Sequence, residues 1–86
     1  MRMITLQVKL VGSIARHLPT GSKGGQARIE VAADSSVDDL IRHLSLPEDR
    51  RYLVSVNDEF IPKTQTATHT LTSDDRVMIM PPLKGG

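Results

Sequence analysis

The sequence predicts an α+β fold, with one main helix packed on a mixed sheet of four to five strands. Three observations carry that expectation. Several short segments place apolar residues at every second position, the repeat of a half-buried strand. One segment, and one alone, places them at i, i+3, i+4 and i+7, the stripe of an amphipathic helix. Glycine, proline and acidic turn residues separate these segments. At 86 residues the chain has room for a single domain with one modest core. A lone amphipathic helix must bury its stripe, and a sheet is the partner available.

The first strand runs from Ile4 to Val11, where Ile4, Leu6, Val8 and Leu10 alternate with Thr5, Gln7 and Lys9. Gly12-Ser13 ends it, and Ile14, Leu18 and Pro19 follow in a short turn. Residues 20–26 read TGSKGGQ, a loop by composition. Ala27, Ile29 and Val31 alternate with Arg28 and Glu30 in a second strand, close enough in sequence to form a hairpin with the first. Val37, Leu40, Ile41 and Leu44 form the helical stripe. Ser36 stands before it as the N-cap, acids lie in its first turn, and Pro47 stops continuation. Tyr52 to Val56 is a third strand. Asn57-Asp58-Glu59 reads as a turn, and Phe60-Ile61 as a short return strand closed by Pro62. The threonine-rich stretch from Lys63 to Thr70 is weakly patterned and reads as irregular, with room for one helical turn. Ser73-Asp74-Asp75 is a further turn. Val77 to Met80 is the last strand, apolar on both faces, which points to a central place in the sheet.

The order strand, strand, helix, strand, short strand, strand is that of the ubiquitin-like β-grasp fold. In that fold the first and last strands pair in parallel at the middle of the sheet. Residues 1–80 are expected to form this domain, with residues 81–86 as a C-terminal tail.

Composition narrows the function. Eleven basic and 10 acidic residues leave a net charge of +1, which gives neither nucleic acid nor an anionic membrane a reason to bind. Tyr52 and Phe60 are the only aromatics, so stacking platforms for single strands are missing. Without cysteine there is no disulfide, thiolate metal site or cysteine nucleophile. No apolar run approaches the ~20 residues of a membrane span. The first six residues do not form a signal-peptide core, so a cytoplasmic protein is expected.

The tail reads Pro81-Pro82-Leu83-Lys84-Gly85-Gly86. Two prolines favour a stiff, extended exit, and six residues reach about 20 Å when extended. Glycines at the end let a backbone pass through a narrow slot, so the Gly86 carboxylate is presented as an unhindered acyl group. A carboxylate becomes an acyl donor once AMP is attached, and sulfur or a lysine amine can then displace the AMP. Either fate requires the tail to enter the active site of another protein. The alternative is an inert end, since chain termini are often rich in small residues.

Nearly the whole chain resembles the MoaD/ThiS family of sulfur carriers. The resemblance rests on residues 7–16 (QVKLVGSIAR), 36–40 (SVDDL), 56–62 (VNDEFIP) and 71–77 (LTSDDRV). In the last of these the family usually has glycine between two acids, where this chain has Ser-Asp-Asp. Pro81-Pro82 followed by two residues and Gly-Gly resembles the branch that forms the small subunit of molybdopterin synthase. Met80 stands where that branch commonly has an aromatic, and Lys84 where it more often has a small residue.

The resemblance implies a carrier rather than an enzyme, with no permanently bound cofactor. An E1-like adenylating enzyme would use MgATP to form an acyl-adenylate on Gly86, and a sulfurtransferase would convert it to a thiocarboxylate. The molybdopterin synthase large subunit would then take the tail and its sulfur. Gly86 would carry the chemistry, Gly85 would provide clearance, and Pro81, Pro82, Leu83 and Lys84 would position the tail. Val11, Phe60 and Met80 match family positions that form an exposed apolar docking patch; the competing reading places all three in the core. A thiamine-pathway carrier, a modifier conjugated to lysines and a plain β-grasp interaction domain are the alternatives.

Other constellations read as structural. His17, His43 and His69 are far apart and lack companions at metal-ligand spacing. The pairs Asp38-Asp39, Glu48-Asp49, Asp58-Glu59 and Asp74-Asp75 fall at a helix start and in turns, where acids serve the backbone. Residues 21–25 (GSKGG) lack the spacing of a phosphate loop. Arg50-Arg51 could meet an acidic groove or simply be solvated.

Overall fold

The structure is a computed structural model that describes residues 2–18, 24–46 and 52–81. Five strands form one sheet in the order β2-β1-β5-β3-β4, and one α-helix packs on it. The strands are β1 Met3–Leu10, β2 Gln26–Ala32, β3 Leu53–Val56, β4 Glu59–Ile61 and β5 Arg76–Met80. The helix α1 spans Val37–His43, and 3-10 turns cover Gly12–His17 and Lys63–Gln65. β1 and β2 form the expected antiparallel hairpin, from Met3↔Ala32 to Lys9↔Gln26. β5 pairs in parallel with β1 and antiparallel with β3, so the last strand is central. This is the ubiquitin-like β-grasp arrangement.

The core follows from strand alternation. Leu6, Val8 and Leu10 of β1, Ile29 and Val31 of β2, Val54 and Val56 of β3 and Val77 and Ile79 of β5 are all buried beneath the helix. They meet Val37, Leu40 and Ile41 of α1, together with Leu44, Leu46 and Tyr52 from the segments flanking it.

A seven-residue helix is too short to persist alone. Burial of its stripe and a full set of caps hold it. Asp39 N–H donates to Ser36 Oγ at 3.1 Å, and Ser36 N–H donates to Asp39 Oδ2 at 3.0 Å, a reciprocal capping box. The threonine-rich stretch completes the cap. Val37 N–H donates to the His69 carbonyl at 3.2 Å and Asp38 N–H to the Thr66 carbonyl at 3.0 Å. The four N–H groups that this helix start leaves without an intrahelical carbonyl, those of Ser36, Val37, Asp38 and Asp39, are thereby all satisfied, and Leu40 N–H to the Ser36 carbonyl at 3.1 Å begins the helical ladder. The hydrogen bonds from the Ser36 backbone and hydroxyl hold the Asp39 carboxyl below its ordinary value. The exposed Asp39–Arg42 ion pair at 3.0 Å adds little.

Three details differ from the sequence expectation. The β3–β4 turn is the two residues Asn57 and Asp58, both at positive φ (53° and 69°), with Glu59 already paired to Val56. That is the twist a two-residue hairpin requires. The helix stops at His43 because Leu44 caps it and Ser45 turns at φ 59°, while Leu44 stays buried. β5 is apolar on both faces but fully buried on only one. Val77 and Ile79 lie under the helix, whereas Met78 and Met80 are half-buried on the face without it.

The loop between β1 and β2 closes tightly at Gly25, at φ +73°. Leu10 N–H donates to its carbonyl at 2.8 Å, and a Cβ there would lie 2.7 Å from the Leu10 carbonyl oxygen. Gly25→Ala is therefore expected to destabilise by about 1–3 kcal/mol, strain and clash together. Gly24→Ala, at φ +60° with open space around it, should cost about 1 kcal/mol. Urea denaturation of the two variants measures the difference.

Candidate functional site

The face of the sheet turned away from α1 is uncovered among the described residues, and strand register decides which side chains share it. Leu53 pairs with Met80, and Ser55 lies between Met78 and Phe60. Val11 continues β1 by one residue, donating its N–H to the Ile79 carbonyl at 3.1 Å. Val11, Leu53, Phe60, Met78 and Met80 thus form one apolar zone at the end of the sheet where β5 exits. Phe60 is 59% exposed, because Ile61 takes the inward position of β4. Val11 and Met80 are half-buried, and neither they nor Phe60 belong to the buried core.

Sequence reading named Val11, Phe60 and Met80 but missed Leu53 and Met78. Both lie in strands recognised from the sequence, and only the pairing register shows that they share the outer face.

The tail begins against this zone. Pro81 is half-buried, with its Cγ 3.6 Å from where a Cβ on Gly12 would stand. Gly12 turns at φ +72°, immediately after Val11. Pro82, Leu83, Lys84, Gly85 and Gly86 lie outside the described residues, as do Arg50 and Arg51.

A polar network joins the hairpin bearing Phe60 to the strand bearing Met80. Asp75 is buried, with 9% of the residue exposed. It accepts from Thr72 N–H at 2.8 Å, Asn57 Nδ2 at 2.9 Å and Thr72 Oγ1 at 3.0 Å. Asn57 Oδ1 in turn accepts from Arg76 N–H at 3.0 Å. Burial pushes the Asp75 carboxyl up. The Thr72 and Asn57 hydrogen bonds, with His69 nearby, outweigh that and hold it below its ordinary value. Every lone pair that matters here serves the fold, so Asp75 is a structural acid.

Among the described residues no group of three or more His, Cys, Asp or Glu gathers as a metal site. No helix among them is long and apolar enough to cross a membrane. The face offers recognition chemistry, apolar anchors beside a tethered chain exit.

A family model described as the ThiS family matches residues 15–86. Among curated protein sequences none matches the chain significantly. Among solved structures the chain is similar to the Haloferax volcanii HVO 2177 protein, at 18% identity and TM-score 0.77, covering 98% of this chain and 88% of that one. It is similar to small archaeal modifier protein 1 of H. volcanii at 19% identity and TM-score 0.68, covering 93% and 99%. It is also similar to a chain in the complex of subunits 1 and 2 of molybdopterin-converting factor from Helicobacter pylori, at 22% identity and TM-score 0.57, covering 96% and 100%. At these identities the likenesses establish the fold.

Proposed function

The chain belongs to the ThiS family, and on that footing we propose that it is a sulfur carrier working through Gly86. The observation that carries this reading is the extent of the family match, which runs from residue 15 through the outer-face residues Leu53, Phe60, Met78 and Met80 to the Gly85-Gly86 pair. In this reading the apolar zone docks on an E1-like adenylating enzyme and Pro81 aims the tail into its active site. The Gly86 carboxylate attacks the α-phosphorus of the enzyme's MgATP and releases pyrophosphate. The outer sulfur of a sulfurtransferase persulfide displaces AMP to form an acyl disulfide, and a thiol then cleaves that bond, itself becoming a disulfide, to leave the thiocarboxylate. Gly85 keeps the approach narrow, with Leu83 and Lys84 setting its depth. The chain binds no cofactor of its own and acts as substrate and donor, not as enzyme.

The acceptor we favour is the pterin of molybdenum or tungsten cofactor assembly, with the chain as small subunit beside a molybdopterin synthase large subunit. Support comes from Pro81-Pro82 ahead of the diglycine and from the similarity to a chain of the H. pylori complex. Conjugation to lysines is the second reading, favoured by the likeness to small archaeal modifier protein 1. Both pass through the same adenylate.

Incubating the protein with its adenylating enzyme, ATP and a sulfur donor should raise its mass by the exchange of one oxygen for sulfur, localised by fragmentation to Gly86. Adding the large subunit and precursor pterin should return the original mass. An unchanged mass in the first step would sink the carrier reading. Persistence of the thiocarboxylate in the second, with Gly-Gly remnants on lysines in cell extract, would favour the modifier.

A further inference from the structure

Beside the apolar zone, the outer face of the sheet carries a cationic zone. Lys9, Arg28 and Arg76 line one shallow groove with Gln7 and Gln26, and Met78 joins it to the apolar zone. Gln7 pairs with Arg28 on one side and with Arg76 on the other, a row across three strands. Lys9, paired with Gln26 and Met78, begins the next row. With strands ~4.8 Å apart, Arg28 and Arg76 are separated by about 10 Å at the backbone. All three cations are exposed. Asp58 is the groove's one carboxylate and already sits 3.4 Å from Arg76. Lys9 and Arg28 make no ion pair among the described residues.

Among the described residues Lys9 and Arg28 gain no ion pair from their place on this face, and Arg76 gains only the exposed contact to Asp58, so little offsets their mutual repulsion. A chain of net charge +1 has no general excess to explain them. We propose that this groove receives an acidic segment of the same protein partner that docks on the neighbouring apolar zone, its carboxylates pairing with Lys9, Arg28 and Arg76. The identity of that partner as an adenylating enzyme rests on the sulfur-carrier reading; the acidic character of the occupant does not. A nucleic acid fits less well, because Phe60 is the one exposed aromatic of this face and lies in the apolar zone, leaving the groove no stacking surface. A small free anion fits poorly too, since the groove is open and its cations are solvated.

Exposed pairs of this kind act mainly on encounter. Relative to wild type, the K9E/R28E variant should associate with the purified adenylating enzyme at least about tenfold more slowly at low salt. Its association rate should lose most of its salt dependence and its dissociation rate should change little. Arg28→Glu alone should slow association in the same direction, whereas Arg42→Glu, which lowers the net charge by the same two units from the helix on the opposite side of the sheet, should leave it close to wild type. In an NMR titration with a polyglutamate peptide, amides at positions 9, 28 and 76 should shift in wild type and stay still in K9E/R28E. Equal association rates for K9E/R28E and wild type would overturn the proposal. So would stronger shifts with a thymidine oligonucleotide than with polyglutamate. If wild type does not bind the adenylating enzyme at all, the sulfur-carrier reading fails, and the peptide titration alone decides the groove. Circular dichroism confirms that the variants remain folded.

Discussion

Asp75→Ala is expected to cost about 2–4 kcal/mol of folding stability, a large share for a domain this small. The carboxylate holds three donors from Thr72 and Asn57 at 2.8 to 3.0 Å. A hydrogen bond to a charged group is worth about 1.5–3 kcal/mol, and water at the turn recovers part of each loss. Asp75→Asn, which keeps one acceptor oxygen, should cost less. The pH dependence carries the sign of a depressed carboxyl. The folded Asp75 carboxyl lies below its ordinary value, so the unfolded chain binds the proton first. The stabilisation is present above the unfolded value of about 3.9 and is lost as pH falls through the folded one. Asp39 contributes with the same sign, held low by its bonds to Ser36. Denaturant midpoints measured across the acid range should therefore fall less steeply for Asp75→Ala than for wild type. The slope should flatten further in the variant that also carries Asp39→Ala. A parallel pair of curves for wild type and Asp75→Ala would contradict the assignment.

Deleting Gly86 is expected to abolish thiocarboxylate formation while leaving stability within about 0.5 kcal/mol of wild type. The buried core among the described residues runs from Leu6 to Ile79. Phe60→Asp should separate docking from chemistry. The change removes an exposed aromatic anchor, and such anchors at interfaces commonly carry 1–2 kcal/mol or more. The half-saturating concentration of carrier should rise about tenfold or more, with product still formed at saturation. Sulfur transfer by the chain lacking Gly86 would remove the basis for the functional reading. Full activity of Phe60→Asp at limiting carrier would move the docking surface elsewhere.

The legible parts of this molecule were those written in local patterns. Alternation located β1 and β2, a run apolar on both faces located β5, a segment ending at the Asn57-Asp58 turn located β3, and the stripe Val37, Leu40, Ile41 and Leu44 located α1 with its Ser36 cap. Asn57 and Asp58 announced a turn, but its two-residue length shows only in the Val56↔Glu59 pair. The stretch from Lys63 to Thr70 looked unpatterned because its service to α1 is done by backbone carbonyls of Thr66 and His69, which side-chain type does not encode. Leu53 and Met78 went unnoticed as surface residues for a related reason, since an apolar residue in a strand declares burial or docking only when its face is known.

Sequence by itself determined which segments become strands, helix and turns, because period, capping and backbone preference act over a few residues. Tertiary structure decided which strands are neighbours, which face stays open, and that Val11, Leu53, Phe60, Met78 and Met80 meet beside a row of cations. Those outcomes depend on pairing between residues as far apart as Gln7 and Arg76. A shift of one residue in that register would turn the same side chains to the other face.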